Sequence, residues 1–410
     1  MPAPGGARAV ARCDMLGVSP YTDMKDGLYR GWLSPAYRAA QEVVTGWMEE
    51  AGMTTRRDAA TNLIGRYEGL NPGPALLIGS HIDSVRDGGR YDGPLGVMLG
   101  VECVATLHAA TRRMPFPIEV IAFGDEEGSR FPAAMLTSRA AAGTLAEMPD
   151  MADAQGTPLA LALASFGTAP ERLADARHAP ALAYLEAHIE QGPALETEGL
   201  ALGVVTGIAA QLRLRLVLEG RAGHAGTTAM PLRRDALAAA AEIVLEVERV
   251  GRDRPDELVA TVGTLEVEPG AANVIPGRVT LSLDIRALDP ALRDLAAQAI
   301  LDEADAIAAR RLVTIRTLPI HDLPASPCDP RLTRILTEAL IAAGHPPRRL
   351  ASGAGHDAMA MAALCPTAML FVRCRGGLSH NPAEHVEVVD VEAALAVMLG
   401  FIDRLEAVHV

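Results

Sequence analysis

The stretch ALLIGSHIDSVRDGGRYDG, residues 75–93, joins an apolar run to His81 and then to Asp92 in a Gly-rich segment. Three further apolar runs lead to residues of the same chemical kind: 118–123 to Glu126 and Glu127, 181–187 to His188, and 367–372 to His380. In an open parallel sheet, ligands bind in the crevice beyond the carboxyl ends of the strands. We therefore predict an α/β fold whose mainly parallel sheet brings these imidazoles and carboxylates together, where they can hold a pair of metals.

Each of these residues also has a simpler explanation when it is considered alone. His81 is then a solvated or locally hydrogen-bonded loop histidine, and Asp92 bonds its own backbone in a turn. Glu126 and Glu127 place negative charge on the first turn of a following helix, where the helix dipole favours it. His380 is then an ordinary turn residue. The separate explanations do not account for the coincidence of all four groups at strand ends, and this coincidence favours the metal site.

A wider set of motifs follows in order along the chain: SHIDSVRDGGRYDGPLGV, FGDEEGSRF, HIEQGPALE, GRAGHAGTT, ANVIPG, SGAGHDA and GLSHNPAEH. Together they resemble the M20-type metallohydrolases, and specifically their allantoate amidohydrolase and N-carbamoyl-L-amino-acid hydrolase branch. Any one of these strings is a weak signal, whereas their joint order is specific. The resemblance covers almost the whole chain, from about Arg12 to near the C-terminus.

The resemblance implies two divalent metal ions per subunit, held by two ligand sets that share one residue: His81, Asp92 and His188 for one metal, and Asp92, Glu127 and His380 for the other. Mixed imidazole and carboxylate ligands suit Zn²⁺ or Mn²⁺, and a set without thiolates gives no preference for soft metals. The choice between the two ions stays open. Asp83 is placed to accept the other ring N–H of His81 and to fix its orientation, although it can also cap the next turn.

Glu126, beside the ligand Glu127, is the predicted general base. A pair of metals makes a water acidic enough to react near neutral pH, and a nearby carboxylate then takes its proton and returns it to the leaving nitrogen. This is an amide hydrolysis without a covalent enzyme intermediate. The sequence contains no GxSxG motif for a nucleophilic serine.

The segment from 211 to 322 contains none of the five ligands and has its own pattern. It begins with the alternating strand QLRLRLVLEG and continues with a helix near 235–250, strands near 258–267 and 279–285, a helix over 290–310 and a strand over 313–318. This order predicts a small antiparallel sheet with two helices on one face. We expect residues 211–322 to form an inserted α+β lid and dimerisation domain, and residues 1–210 and 323–410 to form the discontinuous catalytic di-metal domain.

Three polar residues of the inserted segment lie outside its packing pattern. His224 stands between glycines, Asn273 lies in a turn, and Arg286 follows a strand. By themselves they read as a loop histidine, an Asx-turn and an exposed arginine. The resemblance implies instead that His224 stabilises the oxyanion while Asn273 and Arg286 bind the substrate carboxylate, for which a planar guanidinium is well shaped. It also implies a homodimer in which His224 and Asn273 serve the partner's active site.

Further substrate-binding residues are expected in the metal domain. The resemblance adds Gln191, near His188, whose amide can donate and accept hydrogen bonds, which suits a ureido group. Gly355 and His356 lie at a predicted helix start, and the resemblance assigns them to the substrate site. His356 can equally be a helix N-cap with a buried partner, and this alternative is left open.

Composition limits the class of protein. With 410 residues and 49% hydrophobic content, the chain exceeds the size at which a single core usually stops growing. Its formal net charge is −14, and it contains no basic cluster that fits phosphates, so nucleic acid is an unexpected partner. No run is long and apolar enough to span a bilayer, and the five cysteines contain no CxxC pair. We expect a cytoplasmic enzyme with a small-molecule substrate and no membrane partner.

The resemblance, together with the predicted metal site, implies a hydrolase of non-peptide C–N bonds that cleaves the ureido (carbamoyl) group of a small carboxylate substrate. Allantoate is the preferred substrate, and N-carbamoyl-L-amino acids are the alternative. An M20 peptidase is disfavoured by the HIEQG and GAGHD motifs and by the position of Arg286. A catalytically inactive metal-binding assembly protein is the alternative from another class, and the presence of Glu126 beside a complete ligand set argues against it.

Overall fold

The computed structural model of the chain describes residues 5–145 and 149–409. The described residues form two compact units. The first comprises the residues up to Thr206 and those from Cys328 onward, and the second comprises Gly207–Pro327. The sequence placed the corresponding boundaries at residues 211 and 322, a few residues inside the second unit.

The described strands, in chain order, are β1 (Thr54–Arg57), β2 (Leu63–Tyr67), β3 (Leu76–His81), β4 (Ile118–Phe123), β5 (Ala183–Ile189), β6 (Leu202–Ile208), β7 (Ala210–Glu219), β8 (Gly223–His224), β9 (Leu258–Thr261), β10 (Leu265–Glu268), β11 (Val274–Ile275), β12 (Arg278–Ala287), β13 (Thr314–Leu323), β14 (Ser326–Pro327), β15 (Arg349–Ser352) and β16 (Thr367–Val372). The α-helices are α1 (Gly6–Leu16), α2 (Pro35–Glu50), α3 (Pro94–Ala109), α4 (Leu136–Ala142), α5 (Leu159–Ser165), α6 (Ala194–Thr197), α7 (Ala236–Arg252), α8 (Pro290–Arg311), α9 (Pro330–Ala342), α10 (Asp357–Met361) and α11 (Val388–His409). Short 3₁₀ helices cover Pro170–Ala176, Met230–Leu232 and Arg375–Gly377.

The larger sheet has the strand order β1-β2-β4-β3-β5-β16-β6-β14, with β15 beside β6. Its centre is parallel: β3 pairs with β4 and β5, and β5 pairs with β16. Antiparallel strands lie toward the edges. Every residue of β3, β4, β5 and β16 is buried, which is typical of a parallel sheet covered on both faces. The prediction of an α/β fold with a mainly parallel sheet is confirmed.

Helix starts in both units follow local sequence signals. The side chains of four N-cap residues accept backbone amide hydrogens at the starts of α2, α7, α8 and α9: Ser34, Asp235, Asp289 and Asp329. In α2, α8 and α9 a proline follows the cap at the first helical position, where its missing N–H has no intrahelical partner in any case. The helices α7 and α8 therefore begin near residues 235 and 290, where the sequence analysis placed them, and α2 and α9 carry the same local signals.

The second unit contains an antiparallel sheet of order β10-β12-β7-β13, with β9 also beside β12. Residues of β12 alternate between buried and more exposed positions, so one face of the sheet is packed. Buried side chains from α7 and α8 join that face in a separate hydrophobic core. This is the antiparallel sheet with two helices that the sequence predicted.

Two details of the second unit differ from the sequence prediction. The strand expected near 258–267 is two strands, β9 and β10, that pair with different parts of β12. Between them the backbone N–H of Thr264 donates to the Ser282 hydroxyl, at 2.9 Å, instead of continuing the ladder. The short pair β8 and β11 was not predicted, because two residues per strand carry no periodic signal.

The described residues also bear on the expectations about cysteines and membrane-spanning segments. All five cysteines are buried and free, and burial raises the pKa of the Cys374 thiol to about 11, as expected for a packing residue. Among the helices of the described chain, none combines the length and the apolar character needed to cross a bilayer.

Candidate metal centre

Three of the predicted ligands, His81, Glu127 and His188, lie at or just after the carboxyl ends of neighbouring strands. His81 is the last residue of β3, and His188 is the penultimate residue of β5. Glu126 and Glu127 follow the end of β4. Because β3 lies between β4 and β5 and is parallel to both, these ends meet at one edge of the sheet. Asp92 reaches the same edge from the segment that leads into α3.

Asp92 is the centre of the cluster, and its two oxygens face different partners. Oδ1 lies 3.2 Å from Nε2 of His188 and 3.9 Å from Nε2 of His81. Oδ2 lies 3.2 Å from Nε2 of His380, which is in turn 3.4 Å from Oε2 of Glu127. The structure thus brings all five predicted ligands together in two groups that share Asp92.

The hydrogen bonds of the histidines leave their Nε2 atoms free to bind a cation. Nδ1 of His81 lies 3.1 Å from the carbonyl oxygen of Asp83, and Nδ1 of His188 lies 2.9 Å from that of Ile189. A carbonyl oxygen only accepts, so each Nδ1 carries the hydrogen and each Nε2 presents a lone pair. The lone pair of His188 faces a carboxylate oxygen of Asp92, and this contact requires a proton or a cation between the two atoms.

The electrostatics of the cluster also fit a cation. Burial, with the neighbouring charge of Asp92, raises the pKa of Glu127 to about 7. Burial also raises the pKa of Glu126 well above its usual range. Burial acts in the same direction on Asp92, but when His188 and His380 are protonated at Nε2 they donate to its oxygens, and these hydrogen bonds hold the pKa of Asp92 well below the usual range. Several buried carboxylates beside imidazole nitrogens form a donor set that suits a pair of divalent ions such as Zn²⁺ or Mn²⁺.

Asp83 supports the cluster in a different way from the predicted one. Its carboxylate lies 3.5 Å from Nδ1 of His81, whereas its own backbone carbonyl is nearer, at 3.1 Å. The carboxylate oxygens accept instead from the backbone N–H groups of Glu126, at 3.2 Å, and Glu127, at 3.3 Å. Asp83 therefore fixes the backbone that carries both glutamates.

Glu126 projects into the same space as the ligands. Its Oε2 lies 3.9 Å from Nε2 of His81. On its other side, a Cβ atom added to Gly355 would lie 3.8 Å from Oε1 of Glu126 and 3.0 Å from the methyl carbon of Met135. Glycine at this position therefore leaves room next to the Glu126 carboxylate, where a reacting group has to fit.

Gln191 contacts the metal cluster directly. Its Nε2 donates to Oδ2 of Asp92, at 3.0 Å, and to the Ser379 hydroxyl, at 3.2 Å. Its Oε1 is buried and has no hydrogen-bond partner among the described residues. The donor side of the amide is thus engaged with the ligand shell, and the acceptor side is left for another group.

His356 is a buried, uncharged neighbour of the ligand His188. The two rings meet edge to face, with centroids 4.4 Å apart, and burial next to His188 lowers the pKa of His356 well below its usual range. His356 occupies the N-cap position of α10, but its side chain makes no capping hydrogen bond. Its Nε2 instead lies 2.8 Å from the Ser352 hydroxyl. The N-cap alternative thus describes the position of His356 and not the role of its ring.

Three supporting residues were missed by sequence reasoning. The Ser379 hydroxyl donates to Oδ2 of Asp92, at 2.7 Å. The Glu384 carboxylate accepts a hydrogen bond from the backbone N–H of Asp92, at 3.1 Å. Gly89 packs directly against this carboxylate, since a Cβ atom at Gly89 would lie only 2.0 Å from the carboxyl carbon of Glu384. Glu186 lies two residues before His188 on β5 and accepts from the Ser80 hydroxyl, at 2.9 Å. Only Glu186 had a usable signal, since residues two apart on a strand share a face.

The second unit places His224 and Asn273 together. Val274 pairs with His224 between β8 and β11, and the N–H of Ala225 donates to the carbonyl oxygen of Asn273, at 2.9 Å. The ring of His224 is exposed, and its Nδ1 accepts from the N–H of Gly226, at 3.0 Å. The two-stranded sheet of β8 and β11 therefore presents this imidazole to solvent beside the Asn273 turn.

Arg286 already has a carboxylate partner within its own strand. Its Nε and Nη2 atoms donate to the two oxygens of Asp284, at 2.8 Å each. Asp284 also accepts from Nε of Arg213, at 2.8 Å. A substrate carboxylate at Arg286 has to share or replace this pair.

A family model, two related sequences and a solved structure each match most of this chain. A family model described as peptidase family M20/M25/M40 matches residues 77–404. An N-carbamoyl-L-amino acid amidohydrolase of Geobacillus stearothermophilus is 46% identical over 351 residues, covering 85% of this chain and 86% of that relative. The allantoate deiminase of Arabidopsis thaliana is 40% identical over 433 residues, covering 96% and 81%. The crystal structure of an amidase of the hydantoinase/carbamoylase family from Burkholderia multivorans is 34% identical, with a TM-score of 0.91 and 98% of each chain covered.

Proposed function

We propose that this chain, which belongs to peptidase family M20/M25/M40, is a metal-dependent amidohydrolase that cleaves the ureido C–N bond of a small carboxylate-bearing substrate. The observation that supports the proposal most strongly is the geometry of Asp92, whose two oxygens face His188 and His380 separately. A bridging carboxylate between two imidazole-containing ligand groups suits a binuclear centre. The chain's relatives include amidohydrolases of carbamoyl amino acids and of allantoate.

In this proposal His81, Asp92 and His188 hold one metal, and Asp92, Glu127 and His380 hold the other. When bound, a pair of Zn²⁺ or Mn²⁺ ions polarises the substrate carbonyl and makes a water reactive near neutral pH.

Glu126 carries the proton transfers. Its carboxylate removes a proton from the attacking water and delivers it to the nitrogen that leaves. Burial already raises the pKa of Glu126, which favours the acid form that serves as the donor in the second step. Asp83 keeps Glu126 and Glu127 in register by holding both backbone N–H groups.

The remaining residues are proposed to bind substrate. The unpartnered Oε1 of Gln191 accepts a ureido N–H, and Gly355 leaves the space beside Glu126 in which the ureido carbon lies. His224 stabilises the developing oxyanion, and Asn273 and Arg286 bind the carboxylate. These roles make residues 211–322 a lid and dimerisation domain, in which His224 and Asn273 serve the partner subunit of a homodimer.

Allantoate is the substrate that we propose first. In support, the plant allantoate deiminase matches 96% of this chain. N-carbamoyl-L-amino acids are the second candidate, because the Geobacillus enzyme that acts on them is 46% identical.

A kinetic panel decides between the two substrates. The purified, metal-loaded protein is assayed with allantoate, with several N-carbamoyl-L-amino acids and with a dipeptide, and kcat/KM is compared. We expect allantoate to give the highest value and the dipeptide the lowest. A carbamoyl amino acid in first place would replace the substrate but keep the reaction. Absence of metal-dependent turnover on every ureido compound would refute the enzyme assignment.

A further inference from the structure

The second unit contains a cavity of about 160 Å³ that the proposed reaction does not use. Three arginines, Arg221, Arg233 and Arg234, give its lining a positive charge. The other wall residues include Thr228, Leu232 and Ile275. The cavity is smaller than the roughly 300–1,000 Å³ of sites for drug-sized ligands. It therefore fits a small ion or molecule.

The arginines of this cavity differ from the others of the second unit. Most arginines of Gly207–Pro327 lie within 4.0 Å of a carboxylate oxygen. Within this fully described segment, the exceptions with no carboxylate partner are Arg215, Arg221, Arg233 and Arg234. The last three line the cavity, so the unpaired positive charge of the unit is concentrated there. The chain has a formal net charge of −14, so it contains enough carboxylates to pair with these arginines, yet no described carboxylate lies beside them.

The backbone places two of these charges opposite each other. Arg221 and Arg234 form an isolated antiparallel bridge, with the N–H of Arg221 donating to the carbonyl oxygen of Arg234 at 2.8 Å. Directly opposed residues of an antiparallel pair project to the same face, and like charges in that arrangement repel. Both residues are exposed, and no side-chain hydrogen bond of either occurs in the described chain. An anion between them would remove the repulsion.

Arg233 is held differently and completes the site. Its Nε donates to the carbonyl oxygen of Thr228, at 3.0 Å, and its Nη2 to that of Ala225, at 2.6 Å. A guanidinium has five N–H donors, so these two bonds leave further donors available. Asp235, the nearest acid in sequence, is engaged as the N-cap of α7, where it accepts from the N–H groups of Leu237 and Ala238. It does not neutralise the arginines.

We propose that this arginine pocket, defined by Arg221, Arg233 and Arg234, binds a small tetrahedral oxyanion such as inorganic phosphate. Guanidinium forks match the oxygens of phosphate in pairs, and a dianion neutralises most of the local charge. Gly223 and Ile275 belong to the two-stranded sheet of β8 and β11 and also line the pocket, so a bound anion stiffens the sheet that carries His224.

The test is calorimetric titration of the metal-loaded, full-length protein with inorganic phosphate at constant ionic strength set by chloride. Arg221→Gln and Arg234→Gln are the test variants, because neither side chain supports the fold through a hydrogen bond in the described structure. Arg215→Gln is the matched control: it removes an equally unpaired charge of the same unit outside the pocket. Each test variant should weaken phosphate binding at least tenfold, the loss expected for one hydrogen bond to a charged group, and the control should bind as the wild type does.

Phosphate that binds the metal centre is distinguished by the same variants, since that binding persists when Arg221 or Arg234 is changed. A glycerol phosphate arm separates free phosphate from a phosphate group on a larger molecule, and the pocket volume predicts tighter binding of the free ion. Amide hydrogen exchange of residues 221–235 should slow when phosphate is added to the wild type. The proposal is overturned if the test variants bind phosphate as tightly as the wild type, or if Arg215→Gln loses as much. None of these readouts depends on turnover, so they stand apart from the proposed function.

Discussion

Replacing Glu126 with glutamine tests which of the two adjacent glutamates is the base and which is a ligand. The substitution keeps the shape of the side chain and leaves the backbone N–H of Glu126 bonded to Asp83. In the described structure, no hydrogen bond to the Glu126 carboxylate is broken, because its nearest ring nitrogen, Nε2 of His81, is 3.9 Å away. The change therefore removes the base and little else.

The size of the effect follows from the loss of proton transfer. General base catalysis contributes roughly 10²–10⁴ in rate, so the activation barrier should rise by about 3–5 kcal/mol. The thermal stability of the variant should not fall, because burial opposes ionisation of Glu126 and a neutral amide removes that opposition. The metal content should be unchanged.

The assay is kcat on the best ureido substrate, together with elemental analysis of the same protein sample. Glu127→Gln is the matched control, since its Oε2 lies 3.4 Å from the second ligand His380 and its loss should lower metal content as well as activity. If Glu126→Gln loses metal and Glu127→Gln keeps it, the two roles are reversed. If Glu126→Gln keeps both metal and activity, the carboxylate is not the base.

Other perturbations address the metals, the subunits, the carboxylate site and the pH dependence. Removal of metal with a strong chelator should abolish hydrolysis and addition of Zn²⁺ or Mn²⁺ should restore it; undiminished turnover by protein shown to be metal-free by elemental analysis would contradict the mechanism. Mixing inactive Glu126→Gln and inactive His224→Ala proteins under conditions of subunit exchange should recover up to about a quarter of wild-type activity. Half of the randomly formed dimers are mixed, and one of the two sites in each mixed dimer is intact. No recovery despite proven exchange would place His224 in its own subunit's site or outside catalysis. Arg286→Ala should raise KM more than it lowers kcat, because a carboxylate contact is made in the ground and transition states alike; the reverse pattern would remove Arg286 from substrate binding. Burial, with the charge of Asp92, raises the pKa of Glu384 from 4.5 to about 7. The protonated side chain therefore stabilises the metal-free fold fully below pH ~4.5, and this contribution of about 3 kcal/mol is lost as the pH rises to 7. The free energy of unfolding, measured from pH 5 to 8, should fall more steeply for the wild type than for Glu384→Gln, and parallel curves would refute the assignment.

The central sheet and the ends of its strands were predictable because their signals are local. An apolar run followed at once by His81, or by Glu126 and Glu127, places the polar group at the end of a buried strand whatever the rest of the chain does. The helix starts of the second unit were predictable for the same reason, since the cap of α7, Asp235, and the Asp289 and Pro290 start of α8 act within a few residues.

The supporting contacts of the candidate site were not predictable, because their partners are distant in sequence. The Ser379 hydroxyl and the Glu384 carboxylate meet Asp92 across separations of 287 and 292 residues. Asp83 reaches the backbone of Glu126 across 43 residues. No periodicity or motif reports which polar group will satisfy a buried donor so far away.

By itself, therefore, the sequence determined the fold class, the candidate metal ligands and the placement of His81, Glu127 and His188 at strand ends. Only the tertiary structure decided that Asp92 directs one oxygen to each ligand group, that Arg286 is paired with Asp284, and that Arg221 and Arg234 oppose each other without a carboxylate. The physical reason is one of range. Hydrophobic patterning and capping act over a few residues, whereas the charge balance of a buried site depends on every group that the fold brings within hydrogen-bonding distance.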